Sequence, residues 1–286
     1  MILLQGYVLL VLAYLFFPLL GAFLEGVSPL PTPKTGQRER SFAILIPAHN
    51  EERVLPKLLE SIQAQRYERC EVFVVADNCT DHTFEIAREA GVRAFERKTE
   101  EPSTKSQALR FLFATADDLR KCDAVVILDA DNLLKSGFLE AVDDEMAQGY
   151  RVVQGLRKPK NPFSSRSSTL DYLSEAVSHR VGSAGRRRLG LTGTISGSGI
   201  AYERALFERL LEETKDTLVE DCEWQLRLML ELIPVRFAPQ AVILDEKTDN
   251  FHDLTVQRTR WISGKYRLIP RYLPLFLRSL LTRGRG

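Results

Sequence analysis

The chain has 286 residues, 44% hydrophobic and 27% charged, with a formal net charge of +1, the balance of an ordinary globular protein with one large core or two modest ones. Its four cysteines, Cys70, Cys79, Cys122 and Cys222, show no CxxC or other metal-ligand spacing and nothing that suggests a disulfide framework, which points to a reducing compartment. The near-zero net charge hides two basic clusters, over 151–190 and 258–286, the second without a single Asp or Glu. These suit anionic lipid or phosphorylated ligands, and in the absence of any reading motif nucleic acid is not expected as a partner.

Residues Ile2 to Leu24 carry no charge and are almost wholly apolar, long enough to cross a bilayer as one helix. The run is longer than a secretory signal core and no A-x-A-like cleavage site follows it, so a retained transmembrane anchor is expected over 1–25. The basic residues Lys34, Arg38 and Arg40 follow the run, which places the remainder in the cytoplasm as a single-pass plasma or inner membrane protein. Proline and glycine between Ser28 and Gln37 make 26–40 a stiff linker.

A larger domain is expected over 41–262. Ser41 to Pro47 reads as a strand, followed by Ala48-His49-Asn50-Glu51-Glu52 and a helix with Val54, Leu55, Leu58, Leu59 and Ile62 on one face and Asn50 as its N-cap. A second strand, Glu71 to Ala76, runs into the turn Asp77 to Asp81 and a helix to Ala90, then a short strand around Val92 to Phe95. Lys105 opens the next helix, where a cation is unfavourable for the dipole unless a ligand or solvent takes it up.

Val125-Val126-Ile127-Leu128 is a buried strand that ends in Asp129 and Asp131, and a helix from about Lys135 to Gln148 follows. In an open α/β sheet ligands sit beyond the carboxyl ends of strands, and two carboxylates one residue apart suit a hard divalent cation; acids at strand ends also serve as plain turn formers. The alternation predicts a doubly wound, mostly parallel sheet.

In the second half, Gly193, Gly197 and Gly199 punctuate a loop from Leu191 that is either flexible linkage or a backbone cradle for sugar or phosphate. Glu220 and Asp221 precede a helix over Cys222 to Leu232, where a carboxylate also serves the dipole. Residues 263–286 combine leucines and aromatics with Arg267, Arg271 and Arg278, interrupted by Pro270 and Pro274. They read as an amphipathic segment at the membrane interface, or as a helix packed on the domain.

Taken in order, I-P-A-H-N-E-E at Ile46 to Glu52, V-V-A-D-N-C-T-D at Val74 to Asp81, T-K-S-Q-A-L around Lys105, D-A-D at Asp129 to Asp131 and V-E-D at Val219 to Asp221 resemble family-2 glycosyltransferases with the GT-A fold. Q-R-T-R-W at Gln257 to Trp261 resembles the Q-x-x-R-W motif of the cellulose-synthase-like and hyaluronan-synthase-like branch. The family's motif lysine lies between glycines, where this chain has Thr104 and Ser106.

The resemblance implies a GT-A (Rossmann-like) catalytic domain. Pro47, Ala48, Glu51, Asp77, Lys105, Asp129 and Arg260 would bind a nucleotide-sugar donor, a UDP-sugar in the first instance. Asp131 would hold Mg²⁺ or Mn²⁺, and Asp221 would be the base. Gly197, Ser198, Gly199, Glu220, Gln257 and Trp261 would line the acceptor side. The implied activity is an inverting hexosyl transfer to a lipid-linked or polysaccharide acceptor at the cytoplasmic face. Partners would then be membrane lipid and, since no further spans follow, a separate exporter or channel protein, unless the chain is truncated at Gly286. A nucleotidyltransferase on a similar sheet is the rival enzyme, but it would carry a glycine-rich phosphate loop where Pro47 to Glu52 has none. A non-catalytic sugar-nucleotide-binding scaffold would have no reason to keep Asp77, Asp129, Asp131, Asp221 and Arg260 together.

Overall fold

The computed structural model describes residues 2–28, 30, 40–100, 103–214 and 217–283, with side chains 2–4, 7–11 and 15 outside the description. In chain order the elements are α1 (Ile2–Val27), β1 (Phe42–Ala48), α2 (Leu55–Gln63), β2 (Cys70–Asp77), α3 (Thr83–Glu89), β3 (Arg93–Arg97), α4 (Lys105–Thr115), β4 (Ala124–Ile127), β5 (Leu133–Leu134) and α5 (Phe138–Met146). There follow β6 (Val152–Pro159), α6 (Arg166–Val177), a π-helical stretch Ser178–Gly185, α7 (Arg186–Arg188), β7 (Ile200–Glu203), α8 (Arg204–Glu213), α9 (Glu220–Leu230), β8 (Val235–Asp245) and α10 (Phe251–Arg283).

The strands form one sheet in the order β3-β2-β1-β4-β7-β6-β8-β5. From β3 to β4 the pairing is parallel. Beyond β4 it is mixed: β7 enters antiparallel to β4 and β6, β6 runs parallel to β8, and β5 closes the edge antiparallel to β8. The expected mostly parallel sheet is thus a mixed sheet. Strand β7 enters between β4 and β6 in the opposite direction and pairs with both, and no local period of the sequence encodes strand direction.

Strand alternation divides the core into two layers. Phe42, Ile44 and Ile46 of β1 face one side with α2 (Leu55, Leu58, Ile62) and α5 (Phe138, Leu139, Val142). Ala43 and Leu45 face the other with α4 (Leu109, Leu112), α8 (Phe207, Leu210) and α9 (Trp224, Leu228). Both faces of β1 are covered, which is why its sequence is an unbroken apolar run. The order reverses between β1 and β4, since β1 continues to β2 on one side and to β4 on the other. The crevice at that reversal lies beyond Ala48 and Ile127.

Local details differ from expectation. Asn50 does not cap α2: it adopts a left-handed φ of 57°, and Val54 precedes the first helical residue. Its side chain instead accepts from the Thr80 amide at 2.8 Å and ties the turn after β1 to the turn after β2. Asp81 accepts from the Thr83 amide and hydroxyl at 3.0 and 2.6 Å, at the start of α3. Pro270 and Pro274 do not interrupt α10, which runs through both; each faces solvent while Leu268 and Tyr272 on the other side pack against α9.

Helix α1 occupies the expected anchor segment. Among the described residues, however, no helix is long and apolar enough to cross a membrane. One face of α1, with Pro18, Gly21, Ala22 and Glu25, is turned inward and buried, and a Cβ on Gly21 would lie 2.2 Å from the Gly185 carbonyl oxygen of the π-helical stretch. Tyr14, Phe16, Phe17, Leu19 and Phe23 remain exposed. Hydropathy alone does not separate those two faces. The linker expected at 26–40 lies mostly outside the described residues, as does the end of the 263–286 segment.

Candidate active site

The crevice beyond β1 and β4 collects the predicted acids. After β4 the chain turns sharply, the Asn132 amide donating to the Asp129 carbonyl at 3.0 Å. The Asp129 amide is shared between Asn132 Oδ1 at 3.1 Å and Ser198 Oγ at 3.0 Å. Ser198 is fully buried and its hydroxyl also donates to Asn132 Oδ1, so the glycine loop is bolted to the D-A-D turn. Gln154 of β6 holds the same loop from behind, donating to the Ser198 carbonyl at 3.0 Å and accepting from the Ser196 amide at 2.9 Å.

Lys105 ends between Asp129 Oδ1 and the Gly197 carbonyl, the latter at 2.8 Å. This explains a cation at a helix start: it answers a carboxylate and a carbonyl, not the dipole. Gly197 has φ 63°, and a Cβ there would lie 3.4 Å from Asp221 Oδ2. One glycine therefore contacts the Lys105–Asp129 pair through its carbonyl and borders Asp221 through its Cα. Asp221 is the second residue of α9, and its Oδ1 accepts from the Cys222 amide at 2.7 Å. Glu220 beside it has its carboxyl raised by burial, partly offset by Lys105.

Electrostatically the rim is divided. Burial would raise Asp129, but Lys105 and then Arg157 hold it below the ordinary carboxylate range, although 43% of its side chain stays open to solvent, so it sits in a recess and not a closed pocket. Asp131 has less compensation: burial, then Asp129 and Asp245, push its carboxyl up to about 6. Its side-chain partner is Asn132 Nδ2 at 3.0 Å, while Lys160 donates to its carbonyl and not to its carboxylate. Glu51 is raised too, by burial first and then by Asp131 and Asp129. Glu51 and the D-A-D acids thus crowd negative charge at one spot. Among the described residues no group of three or more His, Cys, Asp or Glu converges as a closed metal site.

Asp77 closes β2 and is buried, but its carboxylate is engaged by protein: Arg97 donates to Oδ1 at 2.6 Å and Ser103 to Oδ2. The His49 ring Nδ1–H donates to the Asp77 carbonyl at 2.7 Å. Pro47 and Ala48 close β1 nearby, in register with Val75 and Ala76.

Gln257, Arg260 and Trp261 lie on α10. Arg260 and Trp261 are exposed, and among the described residues Arg260 makes no ion pair or hydrogen bond. It is Arg258 that is engaged, with Asp171 at 3.1 Å. Asp171 belongs to a network the sequence reading missed. Lys247 reaches Glu175 at 2.5 Å, Asp245 at 3.0 Å and Asp171 at 3.7 Å. Arg157 pairs with Asp245 and Glu175 and donates to the Ser196 carbonyl at 2.7 Å. The available signal was Arg157 following the apolar start of β6 within the first basic cluster.

A reversal of strand order with a carboxylate-rich rim, and a helix-start acid across a glycine loop from it, is the arrangement of the GT-A glycosyltransferase fold. Among solved structures, a mannosyltransferase from Pyrobaculum calidifontis in complex with GDP-Man and Mn²⁺ superposes with a TM-score of 0.66 at 20% identity, covering 96% of this chain and 80% of that one. Glucosyl-3-phosphoglycerate synthase from Mycobacterium tuberculosis, in complex with Mn²⁺, UDP and glucosyl-3-phosphoglycerate, does so with a TM-score of 0.54 at 18% identity, covering 84% and 82%.

A family profile described as glycosyltransferase like family 2 matches residues 39–264, and the chain belongs to that family. A probable glycosyltransferase, YdaM, of Bacillus subtilis is 27% identical over 249 residues, 82% of this chain and 58% of the relative. A 4,4'-diaponeurosporenoate glycosyltransferase of Staphylococcus haemolyticus is 31% identical over 126 residues, 43% of this chain and 33% of the relative. The chain therefore spans little more than half the length of the first and a third of the second.

Proposed function

We propose that the protein is a membrane-attached, metal-dependent inverting glycosyltransferase that moves a hexosyl group from a nucleoside-diphosphate sugar to a hydroxyl of a lipid-linked or glycan acceptor. The observation that carries this reading is Gly197, whose two sides border the Lys105–Asp129 pair and Asp221. A donor diphosphate near Asp131 and an acceptor hydroxyl near Asp221 would then share one reacting centre. Asp221 takes the acceptor proton; a single base opposite the leaving group gives in-line displacement and a β-linked product from an α-linked donor. The crowding of Asp131, Asp129 and Glu51 fits Mg²⁺ or Mn²⁺, whose charge would stabilise the departing nucleoside diphosphate. Lys105, Arg157 and Lys160 supply fixed positive charge on the same rim. The solved relatives with UDP and GDP-Man support testing both nucleotides.

The Q-x-x-R-W run at Gln257 to Trp261 supports the cellulose-synthase-like and hyaluronan-synthase-like branch, with Arg260 and Trp261 free to meet diphosphate and acceptor. Attachment to the cytoplasmic face of the membrane is supported by the uncharged run Ile2 to Leu24 and by exposed Trp261, Ile262, Tyr266 and Ile269 beside arginines on α10. The first test is a screen of UDP- and GDP-sugars with Mg²⁺ or Mn²⁺, read as released nucleoside diphosphate. Asp221→Asn should bind donor as the wild type does and lose about 10²–10⁴-fold in transfer. Normal transfer by that variant, or an α-linked product by NMR, rejects the assignment.

A further inference from the structure

A groove of about 490 Å³ lies between α1 and the segment that follows the π-helical stretch, within the size range of small-molecule sites. Tyr14, Phe17 and Pro18 form one wall; Leu189 and Leu191 form the other, with Arg186 at its edge. The walls are apolar, and Arg186 is the one charged side chain among the lining residues. Its guanidinium lies 5.5 Å over the Tyr14 ring and donates one hydrogen bond, to the Tyr14 hydroxyl at 2.8 Å. A guanidinium carries five N–H donors, so most of that fork faces no protein acceptor among the described residues.

The neighbouring charges are unbalanced in the same sense. Arg187 is buried and paired with Glu145 at 3.4 Å and Glu25 at 3.5 Å. Arg180, Arg186 and Arg188 meet no carboxylate among the described residues. A hydrocarbon-lined groove with an uncommitted guanidinium at its rim matches a long apolar chain that ends in a phosphate, because guanidinium forks pair bidentately with phosphate oxygens.

The groove also connects to the reacting centre. Thr192 completes its lining, and the Val235 amide donates to the Thr192 hydroxyl at 2.9 Å, which pins the loop to β8. Four residues further on, Ser196 belongs to the Gln154–Ser198 framework beside Asp129. Four extended residues span at most about 14 Å, so Thr192 lies within that distance of Ser196.

We propose that this groove seats the hydrocarbon chain of the acceptor, a single-chain lipid whose phosphate carries the hydroxyl-bearing head group, with Arg186 on that phosphate. The inference rests on the lipid-linked acceptor of the function proposed above and names its class and point of entry. A bulk bilayer phospholipid is the competing occupant, to be separated by experiment.

The test uses the full chain in phosphatidylcholine nanodiscs and a diazirine-bearing prenyl phosphate, with crosslinked peptides mapped after illumination. Crosslinks are expected around Tyr14, Phe17 and Leu189, protected by unlabelled prenyl phosphate, about tenfold less well by the neutral prenol, and not by inorganic phosphate. Arg186→Gln, which gives up only the Tyr14 contact, should raise the half-protecting prenyl phosphate concentration about tenfold and leave that of prenol unchanged. Leu191→Trp, at an exposed position, should fill the groove and weaken both. Equal protection by phosphatidylglycerol would make the site one for bulk lipid, and crosslinks confined to α10, or an Arg186→Gln indistinguishable from wild type, would overturn the proposal. Metal-dependent release of nucleoside diphosphate without acceptor is scored in parallel. Its persistence with an empty groove rejects this inference alone, whereas groove binding with no release from any donor rejects the catalytic reading instead.

Discussion

Lys105 stands at the start of α4, where the dipole disfavours a cation, and its ammonium is answered by Asp129 and by the Gly197 carbonyl. Lys105→Met would take from Asp129 its nearest counter-charge beside an incoming diphosphate, leaving only Arg157, and remove a charge-assisted hydrogen bond. The donor KM should rise about tenfold or more, with Lys105→Arg recovering part of it, in steady-state assays of nucleoside diphosphate release. Glu175 makes a second, acid-sensitive prediction. Burial would raise its carboxyl, but His179, Arg157 and Lys247 hold it down at about 2. A carboxylate depressed in the folded state contributes stability above its unfolded pKa and loses it as pH falls toward the folded value. Glu175→Gln should therefore cost on the order of 3 kcal/mol at pH 7 and converge with wild type between about pH 4 and pH 2 in urea titrations. Neither set of partners was readable locally. Lys105 and Asp129 are far apart in sequence, and Arg97 reaches Asp77 only because parallel pairing of β2 and β3 puts those two residues in register.

At the scale of elements, two contacts between helices depend on the absence of a side chain. Gly21 and Gly185 bring α1 against the π-helical stretch, and Gly185 with a Cβ would sit 2.2 Å from the Pro18 carbonyl oxygen. Gly264 does the same for α10 on α9, where a Cβ would meet Val219 at 2.7 Å. Gly21→Leu should undock α1 at a cost of about 1–3 kcal/mol. Hydrogen exchange would show faster amides in Ser178–Arg188 with the strands β1 and β4 unchanged; unaltered protection in that stretch would mean that α1 is not held there. The α9–α10 contact also carries charge. Glu223 is fully buried, accepts from the Tyr272 hydroxyl at 2.7 Å and pairs with Arg271 at 2.7 Å, two residues after Asp221. That anchorage explains how a helix can hold through Pro270 and Pro274, which propensity alone would read as breaks.

Over the whole molecule, exposed large apolar side chains gather on α1, α6 and α10: Phe16 and Phe23, Leu170 and Leu173, Trp261 and Tyr266 among them. With Arg267 and Arg278 on α10, such surfaces fit the headgroup and upper acyl region of an anionic bilayer. Replacing both arginines by glutamine should weaken co-sedimentation with phosphatidylglycerol vesicles about 30-fold at low salt and leave nucleoside diphosphate release in detergent intact. The alternation of strand and helix from residue 42 to 146, and the acids at strand ends, were legible from the chain alone, because buried strands and amphipathic helices impose local periods of two and 3.6 on the order of side chains. Which acids share a rim, that β7 turns back antiparallel beside β4, that Arg258 and not Arg260 is tied to the body, and that one glycine lies between Asp129 and Asp221 were decided only by the tertiary structure. Those relations join residues tens of positions apart through sheet register and helix docking, and no local period records them.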